Sequence, residues 1–203
     1  PLRVWRNYFN SWVRRPDAEA QMLASVMFDL RPIGGSMALF QNLQRDTLQQ
    51  AAQNSIFTAH MVGNALNHTP PLGLLRGLAT IRKGDHKNSL DLKHNGVVPV
   101  VDLARIYALQ GKVEEVSTRA RLKAAERAGG LSTSGAREVL DAYDLIADTR
   151  LVHQARQIQR GQPADNYLDL AELSDLQRSH LRNAFVVIKS LQSAVGHGRG
   201  AVG

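Results

Sequence analysis

Asp29 is the residue whose surroundings most need a chemical explanation. It stands near the end of ASVMFDL, residues 24–30, an otherwise apolar run closed by Pro32, Gly34 and Gly35. Bounded by turn residues in this way, the run reads as a short buried strand. An ionised carboxylate in such a setting is costly unless it binds a metal, pairs with a cation or faces a cleft. Arg31 lies two residues on, on the same face of a strand, so an internal ion pair is the plain alternative to a catalytic acid. A single carboxylate cannot by itself build a two-metal phosphoryl-transfer site.

A second constellation, Arg150, His153, Gln154, Arg156 and Gln157, sets polar groups at steps of three or four along one helix. Such a face can hold phosphate or an acidic protein surface, and a solvated polar stripe opposite Leu145, Leu151, Val152 and Ile158 is the competing reading. The third is SLDLKHNGVVPVVDLAR, residues 89–105, where Asp91, Lys93, Asp102 and Arg105 bracket a glycine turn and a proline-started helix. Asp102, near the start of that helix, meets its dipole favourably, which is a sufficient structural role. Lys93 and Arg105 are then the freer binding candidates.

Other chemistries are missing from the sequence. Its seven histidines form no HExxH motif and no i,i+4 pair, which argues against zinc. With no cysteine there is no disulfide, thiolate metal site or cysteine nucleophile, in keeping with a cytoplasmic protein. GxSxG, the Walker loop and GxGxxG are all absent, so the sequence contains no complete autonomous active site.

The elements that must position these residues are mostly helical. Leu2, Trp5, Phe9, Trp12 and Val13 make an amphipathic first helix that carries both tryptophans of the chain. Pro16 and Asp17 open a short helix through Leu23. Ser36 is placed to cap a helix to Asn54, and Ser55 starts another that ends near His68, before Pro70 and Pro71. Residues 70–96 read as irregular, followed by a Pro99-started helix to Leu109 that Gly111 stops.

A helix from Thr118 to Ala128 ends at Gly129 and Gly130, and the longest runs over residues 135–160. After the polar loop PADNYLD, Ser174 caps a last helix to Val195, with Leu176, Leu181, Phe185, Ile188 and Leu191 inward. The tail GHGRGAVG is expected to be disordered. The expected fold is mainly α, an antiparallel helical bundle with one short N-terminal strand.

Of the 203 residues 43% are hydrophobic but only 5% aromatic, so the core must come from Leu, Ala, Val and Ile. No stretch approaches the roughly 18 apolar residues of a membrane span. The net charge of +7 is dispersed along helices rather than gathered in a run, which argues against nucleic acid as a partner. The sequence opens on Pro1 and Leu2 rather than Met, which suggests that it starts inside a longer reading frame.

Taken together, SVMFDLRPIGG, HTPPLGLL, SLDLKHNGVVPVVDLARIYAL, TRLVHQARQIQRGQPADNYLD and LSDLQRSHLRNAFVVIKSLQ resemble the putative nucleotidyltransferase substrate-binding domain family, over residues 22–193. The resemblance implies a bacterial signal-transduction protein. In that family the helical domain follows a nucleotidyltransferase-like domain, often after cyclic-nucleotide-binding and CBS modules, and is similar to regions of PII uridylyltransferase and glutamine synthetase adenylyltransferase.

It further implies that Asp29 in FDLRPIGG is a third catalytic acid that would help hold Mg2+, with its two partner acids upstream of Pro1. Arg31, Lys93, Arg105, Arg150, His153 and Arg156 would hold a nucleotide and a protein or small-molecule acceptor. On this view residues 1–35 end an upstream nucleotidyltransferase-like domain, 36–195 form the substrate-binding domain and 196–203 a tail, and the fragment alone is inactive and needs no cofactor of its own. The alternative is a non-enzymatic helical interaction module or homodimer, with Trp5 and Trp12 on its sticky surface.

Overall fold

The computed structural model describes residues 2–73 and 77–198. Among them lie eight α-helices: α1 (Leu2–Arg14), α2 (Ala18–Met27), α3 (Met37–Gln53), α4 (Ser55–Ala65), α5 (Val98–Gln110), α6 (Thr118–Arg127), α7 (Thr133–Gln159) and α8 (Asp175–Gly196). Two three-residue strands, β1 (Ser89–Asp91) and β2 (Tyr167–Asp169), pair antiparallel with Leu90 opposite Leu168. A π-turn over Lys93–Val97 leads directly into α5, and a 3-10 turn over Leu170–Glu172 leads towards α8. The expected mainly α fold is what forms. Leu74 and Leu75 of HTPPLGLL lie outside the described residues, as do Pro1 and residues 199–203 of the expected tail, while α8 runs through Gly196.

The strand expected over residues 24–30 is instead helical to Met27. Asp17 caps α2 by accepting from the Ala20 N–H at 2.8 Å, and Ala20, Leu23, Ala24 and Met27 are good helix formers. Ala20 and Ala24 are buried while Met22 and Val26 are exposed, which is helical spacing. The only sheet among the described residues is assembled from segments that the sequence marks as irregular or loop.

The caps fall mainly where the residue types place them. Ser132 accepts from the Gly135 N–H, and Ser174 with Gln177 forms a reciprocal capping box at α8. Ser36 sits at the start of α3 but its hydroxyl makes no capping bond. Leu176 departs from the expected inward set: it lies in the first turn of α8 and is exposed.

α5 is the central element. Val100, Leu103, Ala104, Ile106 and Tyr107 are all buried, and the helix packs on α4, α6 and α8. α7 lies along α8, and the π-turn is pressed on to that pair at Gly96. A Cβ at Gly96 would stand 2.7 Å from Ile146 Cγ2, so no larger residue fits without displacement. Gln192 of α8 is fully buried, and its amide donates to the carbonyls of Ala65 and His68 at 3.1 and 2.7 Å, fixing the end of α4. α1 lies on α3 and α2, burying Phe9 and Val13 and leaving Trp5 and Tyr8 exposed.

Candidate functional site

Asp29 follows the end of α2, where α5 and α6 each direct an arginine at it. Its carboxylate accepts from Arg105 Nε at 3.3 Å and from Arg105 Nη2, and from Arg121 Nη1 at 2.5 Å. Arg105 also donates to Asp102 at 3.0 Å, one turn back on α5. Arg121, with only 4% of its side chain exposed, adds bonds to the carbonyls of Phe28 and Glu115. The network ties α2, α5 and α6 together.

Burial alone would raise the Asp29 carboxyl, but hydrogen bonds from Arg105 and Arg121 outweigh it and hold the group below its ordinary value. Burial pushes Asp102 up despite Arg105 beside it. Burial likewise pulls Arg121 down, even against the Asp29 charge, whereas Arg105, with two carboxylates, is raised in spite of its burial. This is the ion-pair alternative for Asp29, with partners on α5 and α6 in place of Arg31, which is exposed.

The fit of a divalent cation can be judged from this geometry. Both Asp29 oxygens face guanidinium groups, and no group of three or more His, Cys, Asp or Glu side chains among the described residues is arranged to hold a metal. Asp29 is a lone carboxylate whose charge two arginines already offset, so these residues do not by themselves fit Mg2+.

Beside the network, on the other side of Arg105, an open cleft of about 810 Å3 lies between α2, α4 and the start of α5. Asp102 and Arg105 form part of one wall, His68, Asn64 and Asn67 another, and Gln21 and Ser25 of α2 a third. His68 is stacked near His94, ring centres 6.0 Å apart. His94 is anchored in turn by Asp91, which accepts from its Nδ1 at 2.8 Å and from the Lys93 and His94 N–H groups. Gln21 is 6% exposed, and both its amide oxygen and nitrogen are buried without a hydrogen-bond partner.

The constellation on α7 takes a different role. His153, 5% exposed, meets Asp165 at 3.1 Å, Arg150 Nε donates to Asn166 Oδ1 at 2.6 Å, and the Asp165 N–H donates to Gln157 at 2.9 Å. Burial opposes ionisation of Asp165, but the Tyr167 N–H, His153 and Gln157 hold its carboxyl below the ordinary value. This polar face therefore clamps the segment that enters β2, whereas Leu151, Val152 and Ile158, the apolar side of the expected stripe, are exposed.

The expected binding residues are thus dispersed. Arg105 joins Asp29, Arg150 and His153 bond the neighbouring Asn166 and Asp165, and Arg31 and Lys93 stand exposed elsewhere. Arg156 lines a smaller cavity beside His153 and His180. Gln21, His68, Asn64, Asn67 and Arg121 are not singled out by motif. Arg121 carries a signal nonetheless, since it lies four residues before Ala125 and next to Leu122 on the buried face of α6.

The fold and site together define a mainly α helical domain with an open polar cleft beside a buried ion network. The chain belongs to the putative nucleotidyltransferase substrate binding domain family, whose model matches residues 55–198, from α4 through α8. Neither the curated proteins nor the solved structures hold a match to it. α1 to α3 precede the matched span, so the cleft and the Asp29 network both lie on the seam between α2 and the family's own helices. Among the described residues no helix is long and apolar enough to cross a membrane.

Proposed function

We propose that this chain is the substrate-binding and regulatory helical part of a PII uridylyltransferase-like signalling protein of the bacterial cytoplasm. Its catalytic nucleotidyltransferase-like domain stands upstream, in a protein that also carries CBS and cyclic-nucleotide-binding modules. The observation that carries the reading is the cleft on the seam, roofed by α2 and floored by family helices, with Asp102 and Arg105 bridging from it to Asp29. Clefts of about 300–1,000 Å3 with a few convergent polar groups are the usual form of small-ligand sites.

In a nucleotidyl transfer the contribution of such a domain is positional. By holding one reactant against a catalytic domain it converts an encounter into an oriented, effectively unimolecular step. The upstream paired acids would hold Mg2+, which would supply charge stabilisation at the phosphates. Asp29 would join them in competition with Arg105 and Arg121.

The test is calorimetry and transfer of labelled nucleotide from Mg-UTP and Mg-ATP, comparing this chain with one extended upstream. Transfer by the extended chain alone, with PII or another acceptor present, is expected. An extended chain that neither binds nor transfers nucleotide would overturn the proposal.

One observation favours a second reading, an interaction or dimerisation module. Trp5 and Tyr8 lie exposed on α1, edge-on at 6.0 Å, and Tyr8 stacks on Trp12 at 5.9 Å. That reading expects Trp5→Ala to change the mass measured by light scattering, and an unchanged monomer would remove it. Trp12 packs against the core, so its replacement tests stability instead.

A further inference from the structure

The chemistry of the cleft separates the two ends of a nucleotide. A polyphosphate needs unpaired positive charge or a row of N–H donors. The cleft wall carries two carboxylates, Asp17 and Asp102, against one guanidinium, Arg105, which is already bonded to Asp102 and Asp29. Phosphate would meet repulsion there.

The remaining lining is of another kind. Two exposed carboxamides, Asn64 and Asn67, stand with an apolar side formed by Met22 and Val26, both exposed although apolar, and the carboxamide of Gln21 lies buried in the wall between them and Asp17. His68, backed by His94, adds an imidazole on which a planar ring can stack.

Gln21 is the independent sign that a ligand belongs here. A carboxamide more than nine-tenths buried with neither its oxygen nor its nitrogen bonded is a cost that native structures rarely leave standing. The amide offers an acceptor and donors side by side. Turned into the cleft, it matches a heterocycle that presents a donor next to an acceptor, as a nucleobase edge does. Asp17 and Asp102 are suited to ribose hydroxyls, which a carboxylate accepts from.

We infer that the cleft between α2, α4 and α5 binds the nucleoside end of a nucleotide, base and ribose, and leaves the phosphates outside it. This deepens the substrate-binding reading above and rests on it.

The experiment is a titration of the 203-residue chain with adenosine, uridine and inorganic tripolyphosphate, followed by calorimetry and by backbone amide shifts of α2 and α4. At least one nucleoside is expected to bind and to move signals around Gln21 and Asn67, and tripolyphosphate to leave them in place. Gln21→Leu is expected to weaken nucleoside binding roughly tenfold, the loss of about one net hydrogen bond, without lowering the melting temperature. A purely structural glutamine would show the reverse pattern. The exposed Asn67→Ala provides a second variant that leaves the core untouched and is likewise expected to weaken binding.

Tripolyphosphate competing at the same amides, or nucleosides failing to move them, would overturn the inference. If nucleosides fail while an upstream-extended chain still transfers nucleotide, only the assignment of this cleft falls. If the extended chain is also inert, the substrate-binding reading falls with it.

Discussion

Replacing Asp29 by Asn tests whether the ion network holds α2 on the bundle. The change keeps the shape of the side chain and removes the one carboxylate that Arg121 touches, while Arg105 retains Asp102 at 3.0 Å. Arg121 would keep the carbonyls of Phe28 and Glu115 but carry an uncompensated charge with 4% of its side chain exposed. Stripping one partner from a fully buried pair costs about 3–5 kcal/mol. Asp29 is 36% exposed, so water screens part of the interaction, and the loss should come to about 2–3 kcal/mol.

For a chain of this length that corresponds to a fall in melting temperature of about 4–12 °C. Urea unfolding followed by circular dichroism measures it, with the exposed Arg31→Ala as a control expected within about 0.5 kcal/mol of the parent. The sign with pH is also set. The folded carboxyl lies below its ordinary value of 3.8, so its contribution is complete well above pH 3.8 and is lost as pH falls through the folded value. The gap between parent and variant should therefore close in acid. An Asp29→Asn chain as stable as the parent at neutral pH would refute the reasoning.

Gly96→Ala places a methyl 2.7 Å from Ile146 Cγ2 and 3.5 Å from Phe185 Cε1, and should cost about 1–3 kcal/mol in urea unfolding. His153→Ala should lower stability by roughly 1–3 kcal/mol, because it empties a buried site and removes one of the bonds to Asp165, which keeps only the Tyr167 N–H on that oxygen, and hydrogen exchange should quicken over Tyr167–Asp169. Gln192→Leu loses both bonds to the end of α4. Since the glutamine oxygen is itself unpartnered, the cost should fall near the low end, about 1 kcal/mol, with faster exchange around residues 65–68.

Helix positions are legible in the sequence because they are punctuated: Asp17, Ser132 and Ser174 each supply the capping oxygen that their residue type promises. ASVMFDL is not legible in the same way. A run that is apolar but for Ser25 and Asp29 is too short to show a period, so its α2 geometry is set by the Asp17 cap upstream and by burial of Ala20 and Ala24. The two faces of α7 are distinguishable in the sequence, but which one is covered depends on where the chain returns. Residues 165–169 return on to the polar face, so His153 is buried and Leu151 is not. Gln21 leaves only a faint trace, one polar residue beside the buried Ala20 and three before Ala24.

Asp29 shows where sequence reasoning stops for a physical reason. A carboxylate in an apolar context declares that it needs a partner, and that much is local. The identity of the partner is not, because Arg121 lies 92 residues further along the chain and reaches Asp29 only after α5 and α6 have packed. The two roles that the residue can take also compete. A carboxylate whose charge already offsets Arg105 and Arg121 has little left to offer a divalent cation. Any arrangement that draws Asp29 away to a metal must leave the almost wholly buried Arg121 in want of another anion, while Arg105 keeps Asp102. In such an arrangement the Asp29→Asn change would abolish transfer while costing little stability, the opposite of what is expected for the chain as it stands.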